Sequence, residues 1–265
     1  MSKKRILMCP PQYYGIEYEI NAWMHKDDQV DTKLASQQWQ ALHAIYEKLG
    51  YEINLIEQVR GLPDMVFATD SCLIIGGKVM LSNFRYRERQ LEAAQFEKWL
   101  HGAGYEDMAT AKHRFEGGGD SLVCGDLIFI GYGFRSDLES HAEVDAYFDQ
   151  TVVSLKLVDP NFYHMDTAFA VLDDETVAYY PEAFDENSRN AIELSVPRTI
   201  KATLAEAKGF GLNAVSDGTN VVTSNASKSL LAKYKAAGFR VHGTPITEFR
   251  KSGGGVKCLT LELRG

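Results

Sequence analysis

The sequence predicts an α/β protein built as a closed ring of five similar units, and three observations point there. A hairpin, a helix and a further strand recur in the same order along the 265 residues. Aligning the start of each hairpin brings Asp70, Asp120, Asp166, Asn213 and Cys258 into register, 50, 46, 47 and 45 residues apart, and such a period marks repeat architectures. The unit that opens at Cys258 lacks a second hairpin strand, and the N-terminal strand is the one left to supply it, which closes the series. In a closed ring, equivalent strand ends surround one axis and their polar residues converge. The same alternation also fits an ordinary α+β domain.

Taken in order, Arg5-Ile6-Leu7-Met8-Cys9 reads as a strand stopped by Pro10-Pro11. The stretch to about Asp31 has no clean period and reads as a loop or lid. Leu34, Trp39, Leu42, Ile45 and Tyr46 recur at helical spacing between Thr32 and Leu49, Gly50 supplies a stop, and Tyr51 to Leu55 follows as a strand. Cys72–Ile75 and Val79–Leu81 form a hairpin around Gly76-Gly77-Lys78, followed by a helix from about Arg87 to Leu100. The next round has strands at Leu122–Cys124 and Leu127–Ile130, a helix near Leu138–Phe148 and a strand at Val152–Leu157. A third turns at Asp173-Asp174-Glu175, with a helix near Asp185–Leu194 and a strand near Thr199. A fourth starts at Leu212–Val215, turns at Asp217-Gly218-Thr219-Asn220 and runs through a helix from Lys228 to Ala237.

A chain of this length with 45% hydrophobic residues can bury a substantial core, so one domain over residues 1–265 is expected. Its apolar runs fall short of the roughly 20 residues a membrane helix needs, and the start has no leader-like segment. A soluble, cytoplasmic protein is the expectation. The net charge of −8 comes without a Lys/Arg stripe, which argues against nucleic acid as partner. Cys9, Cys72, Cys124 and Cys258 lie far apart with no zinc-ligand spacing, so neither a disulfide framework nor a metal site is expected.

Three features carry chemistry. In Phe162-Tyr163-His164-Met165-Asp166-Thr167 an extended backbone would point His164 and Asp166 the same way, a proton carrier beside a fixed negative charge. In Gly253-Gly254-Gly255-Val256-Lys257-Cys258 three glycines, which permit close approach of a substrate, precede a thiol at the mouth of an apolar strand. In Glu116-Gly117-Gly118-Gly119-Asp120 two carboxylates flank glycines; the GxGxxG order of a dinucleotide site is absent. Each has a plainer reading: a buried histidine bonded to backbone, a cysteine packed as a small apolar residue, a turn with solvated acids. Together, Cys258, His164 and Glu116 make a nucleophile, an acid-base group and its orienting partner. Asp70 and Asp166 are surplus to such a triad and suit a planar cation, which points to attack at a guanidinium carbon.

Asp64-Met65-Val66-Phe67 with Asp70, Phe115–Asp120, Gly133-Phe134-Arg135-Ser136, Phe162–Thr167 and Gly254–Thr260 resemble, in order, the motifs of the guanidino-group-modifying enzymes. That superfamily includes arginine deiminases, dimethylargininases, amidinotransferases and arginine dihydrolases, and its fold is the five-bladed αβ-propeller called the pentein. Ile20–Met24 and Tyr132–Ser136 bring the chain nearest to the dihydrolase module. The resemblance implies that Cys258 is the nucleophile, His164 the general acid-base, Glu116 its partner, and Asp70 and Asp166 the holders of the guanidinium. It further implies that Arg89 and Arg135 clamp a substrate carboxylate, that Asp64 binds the amino-acid end and that Asn21 makes another substrate contact. No cofactor is implied; the partner is a small guanidino compound, with a homo-oligomer compatible. Where the dihydrolases carry an asparagine near the guanidinium this chain has Asp70, as deiminases and dimethylargininases do. The expected reaction is release of ammonia or an amine with citrulline; a second hydrolysis to ornithine, amidino transfer, and a silent arginine-binding protein are the alternatives.

Overall fold

The structure is a computed structural model that describes residues 4–264. The chain begins with β1 (Arg5–Met8), α1 (Thr32–Lys48) and β2 (Glu52–Leu55). Next come β3 (Cys72–Ile75), β4 (Lys78–Leu81), α2 (Glu92–Gly102) and β5 (Met108–Thr110), then a one-turn α3 (Gly117–Asp120). The same order repeats as β6 (Ser121–Cys124), β7 (Leu127–Tyr132), α4 (Glu139–Phe148) and β8 (Thr151–Lys156). It returns as β9 (Phe169–Asp173), β10 (Thr176–Tyr179), α5 (Glu186–Ser195) and β11 (Arg198–Lys201). A short α6 (Leu204–Lys208) precedes β12 (Val215–Ser216), β13 (Asn220–Ser224), α7 (Lys228–Ala236) and β14 (Arg240–Thr244), and α8 (Thr247–Arg250) and β15 (Leu261–Glu262) end the chain.

These strands make five three-stranded sheets of one design: the first strand is antiparallel to the middle one, which is parallel to the third. The connections dictate that pattern. A two-residue turn such as Gly76-Gly77, with φ of +58° and +80°, reverses the chain into a twisted hairpin, whereas a parallel neighbour requires a crossover, here a helix. The last sheet is β15-β1-β2, with Ile6 opposite Glu262, so the two ends of the chain share a sheet as the sequence implied.

Consecutive units are bonded at the mouths of their first strands. Met165 N donates to Asp120 Oδ1, Asn213 Nδ2 to the Asp166 carbonyl and Thr69 N to the Cys258 carbonyl, while Asn83 and Phe115 form an isolated bridge. The five sheets therefore form a pseudo-fivefold repeat. Their outer faces and the helices bury an apolar core rich in aromatics, among them Phe129, Phe169, Tyr179 and Phe184. Among the described residues no helix is long and apolar enough to cross a membrane.

Two boundaries differ from expectation. The helix expected from Arg87 starts at Glu92, because the residues before it turn the Arg89 side chain into the interior. Helix α6 was not foreseen, although Thr203 and Glu206 form a capping box readable as Thr-x-x-Glu.

Candidate active site

The five aligned residues sit just ahead of the first strand of each unit. Asp70 lies in the helical turn Ala68–Ser71, Asp120 at the end of α3 and Asp166 in the turn Met165–Thr167, while Asn213 and Cys258 precede β12 and β15. The extended backbone expected through Phe162–Thr167 is confined to His164, which lies between the helical turns Pro160–Phe162 and Met165–Thr167. His164 and Asp166 still reach the same centre, because the tight turn aims the Asp166 carboxylate at Cys258. All these side chains are buried. Glycine makes the convergence possible: a Cβ on Gly119 would strike Asp70 Oδ1 and lie 3.0 Å from His164 Nδ1.

Cys258 Sγ donates to Asp166 Oδ2 at 3.1 Å and accepts from Asn213 Nδ2 at 3.0 Å. Burial, then the charges of Asp166 and Asp70, push the thiol well above its ordinary range. His164 Nε2 bonds Glu116 Oε2 at 2.7 Å, leaving Nδ1 toward the centre, 3.7 Å from Asp70 Oδ1. Burial opposes charge on this imidazole, but Asp70, Asp120 and Glu116 outweigh it and lift it to about 9. Burial likewise opposes the charge of Glu116, yet Arg135 at 2.9 Å and His164 hold it well below the usual carboxylate range. The site therefore rests with a protonated thiol, an imidazolium and an ionised Glu116 at neutral pH.

Arg89 is more heavily committed than the sequence suggested. It donates through Nε and Nη2 to Glu92, through Nη1 to Asp70 Oδ2 at 2.6 Å and through Nη2 to the Asp64 carbonyl, with Phe84 against its face. Among the described residues Arg135 donates only to Glu116 and the Ile20 carbonyl, and it packs against the rings of Tyr86 and Tyr163. Asp64 is buried beside the Tyr18 hydroxyl, with no hydrogen bond closed at its Oδ1 among the described residues. Asn21 accepts from Trp23 N and Met24 N and donates to the Ser252 carbonyl, tying the segment before α1 to the glycine loop. That loop is packed on protein groups: a Cβ on Gly254 would strike the Phe67 ring and one on Gly255 would lie 2.7 Å from Asn213 Oδ1.

Two neighbours escaped the sequence reading. Glu92 was an unmarked helix charge, although its three-residue spacing from Arg89 was a usable sign. Asn213 was in the aligned series without a role, and nothing local indicates its contact with sulfur.

Residues 11–265 match the family model described as N,N dimethylarginine dimethylhydrolase, eukaryotic. The chain is 44% identical over 260 residues to N(G),N(G)-dimethylarginine dimethylaminohydrolase of Mycobacterium tuberculosis, covering 98% of this chain and 86% of that one. It is 40% identical to the bifunctional arginine dihydrolase/ornithine cyclodeaminase ArgZ of Synechocystis sp., where the match takes 98% of this chain but only 37% of ArgZ. The crystal structure of the N-terminal domain of an ArgZ variant covalently bound to a reaction intermediate aligns with a TM-score of 0.94 at 39% identity, over 98% of each chain. The chain thus belongs to the dimethylarginine dimethylhydrolase family, within the guanidino-modifying pentein superfamily.

Proposed function

We propose that this protein is an amidinohydrolase that cleaves a guanidino C–N bond of free arginine or an N-substituted arginine, with its five units arranged as a five-bladed αβ-propeller around the site. The observation that carries this reading is a pair of buried carboxylate oxygens without hydrogen-bond partners among the described residues: Asp70 Oδ1, 3.7 Å from His164 Nδ1, and Asp166 Oδ1, on the carboxylate bonded to Cys258. Such oxygens are costly unless a donor meets them, and a planar cation supplies donors in that geometry.

The resting thiol is held protonated by burial and by Asp166 and Asp70. A guanidinium bonded to those carboxylates offsets their charges, so the thiol gives up its proton by way of Asp166 Oδ2 to solvent, and a reactive thiolate forms only when substrate is in place. Sulfur then attacks the guanidinium carbon. The His164 imidazolium gives its Nδ1 proton to the departing nitrogen, with Glu116 fixing the ring through Nε2. Ammonia or an amine leaves and a thiouronium remains on Cys258. Neutral His164 takes a proton from the water that attacks the same carbon, and collapse returns the thiol and citrulline.

Of the five N–H groups of a guanidinium, Arg135 uses two and keeps three, while Arg89 keeps a single one on Nη1. Arg135 is therefore the principal clamp for a substrate carboxylate, Asp64 Oδ1 receives the ammonium, and Asn21, which ties the segment before α1 to the glycine loop, has one amide hydrogen left for substrate. A peptide-bound arginine would leave the buried Arg135 charge without its partner. Because Asp70 is an anion paired with Arg89, it favours the cationic substrate over neutral citrulline, and hydrolysis stops after one round.

Product analysis tests both points. Arginine should give citrulline and ammonia one-for-one, and dimethylarginine citrulline and dimethylamine; agmatine, lacking the carboxylate, should turn over at least about 100-fold less efficiently. The likeness to ArgZ favours a second reading, double hydrolysis, which ornithine with two ammonia per arginine would establish. Agmatine cleaved as fast as arginine would remove the clamp.

A further inference from the structure

The structure assigns Asn213 a catalytic part: its amide is the hydrogen-bond donor that stabilises Cys258 Sγ as an anion during attack, opposite the carboxylate of Asp166. This inference rests on the reading of Cys258 as nucleophile.

Asn213 is fully buried, and every one of its contacts orients it. Oδ1 accepts from Lys257 N at 2.8 Å and from Cys258 N at 3.3 Å. Since those partners can only donate, the amide cannot be reversed, and Nδ2 must face away from them. There it meets Cys258 Sγ at 3.0 Å and the Asp166 carbonyl at 3.2 Å. Gly255 leaves room for this arrangement, because any Cβ there would press on Asn213 Oδ1. Among the described residues no other side chain donates to the sulfur.

The repeat sharpens the point. At the equivalent place three other units carry aspartate: Asp70, Asp120 and Asp166. The sulfur already faces the charges of Asp166 and Asp70, with Tyr14, Tyr163 and Lys257 nearby; the Lys257 ammonium is turned away into an ion pair with Glu262. A third carboxylate beside the sulfur would oppose any negative charge on Cys258. An amide has nearly the same shape and keeps the acceptor that orders the backbone of Lys257 and Cys258, but exchanges repulsion for a donor. Hydrogen bonds to charged groups are strong enough to change a thiolate population by about 10- to 100-fold.

The test uses Asn213→Asp and Asn213→Ala in the full chain, with folding verified by circular dichroism and denaturant titration. Asn213→Asp preserves shape and acceptor and exchanges the donor for a negative charge; both changes raise the thiol, so an unmoved profile refutes the donor even if Asn213→Ala does not fold. The probe is 2-chloroacetamidine, a small cationic alkylating agent; its rate is followed against pH and the modified cysteine identified by peptide mass spectrometry. The apparent pKa for Cys258 alkylation should rise by about one to two units. At neutral pH kcat should fall about 10- to 100-fold while KM changes less than about threefold, and the loss should shrink as pH rises. Folded Asn213→Asp with the parent's alkylation profile and kcat would overturn the assignment. Full turnover by Cys258→Ser, or alkylation of the parent at another cysteine, would instead overturn the nucleophile reading beneath it.

Discussion

Asp120 and Asp166 occupy the same place in successive units, both fully buried, and burial raises the pKa of both. Their surroundings separate them. Asp120 gives one oxygen to Ser136 N and Oγ and the other to Met165 N, so it is occupied in joining two units. Asp166 gives one oxygen to Cys258 Sγ and leaves the other without a partner. Equivalent positions in a repeat thus bring side chains to one centre, but the unsatisfied hydrogen-bonding capacity decides which of them can act on a ligand.

Substitution should break this pair apart in opposite directions. Asp166→Asn removes an anion facing the reacting atoms, and kcat/KM should fall by about 1,000-fold or more with little loss of stability in urea titration. Asp120→Asn turns one acceptor into a donor opposite groups that donate, and should cost about 2–3 kcal/mol of stability while leaving kcat per folded molecule far less affected. Equal catalytic losses in the two variants would erase the distinction.

A smaller effect concerns His164, the group both aspartates face. Its folded value of about 9 lies above the ordinary 6.5. Its protonation therefore favours the folded state, a contribution fully present below about pH 6.5 and lost as pH rises through about 9. The alkaline limb of kcat/KM should fall near the same value, since the imidazolium is the acid. Glu116→Gln removes one of the groups that raise it, and the limb should move to lower pH by about one unit; an unmoved limb would assign it to another group.

The repeat was legible because hairpin turns and helix stops are each written within a few residues and Asp70, Asp120, Asp166, Asn213 and Cys258 recur at a near-constant spacing, with only the last unit split between the two ends of the chain. Convergence of Cys258, His164 and Glu116 followed from closing that ring. What escaped was tertiary. The start of α2 was misplaced because Arg89 follows its carboxylates inward, not the helical period of its neighbours. The backbone after His164 was taken as extended, since polar residues between apolar runs do not reveal a helical turn. The glycines at Gly254 and Gly255 were read as room for substrate, yet the groups they admit are Phe67 and Asn213, from distant parts of the chain.

The central claim is that Cys258 carries the guanidino carbon, and trapping that carbon tests it most directly. The enzyme is mixed with arginine labelled at the guanidino carbon, quenched in acid within the first turnovers and digested for mass spectrometry. The label should appear as an alkylthiouronium adduct, arginine less one ammonia, on the peptide containing Cys258 and vanish in Cys258→Ser, which should also lose turnover. Undiminished turnover in Cys258→Ser, or label on a different residue, would contradict the account.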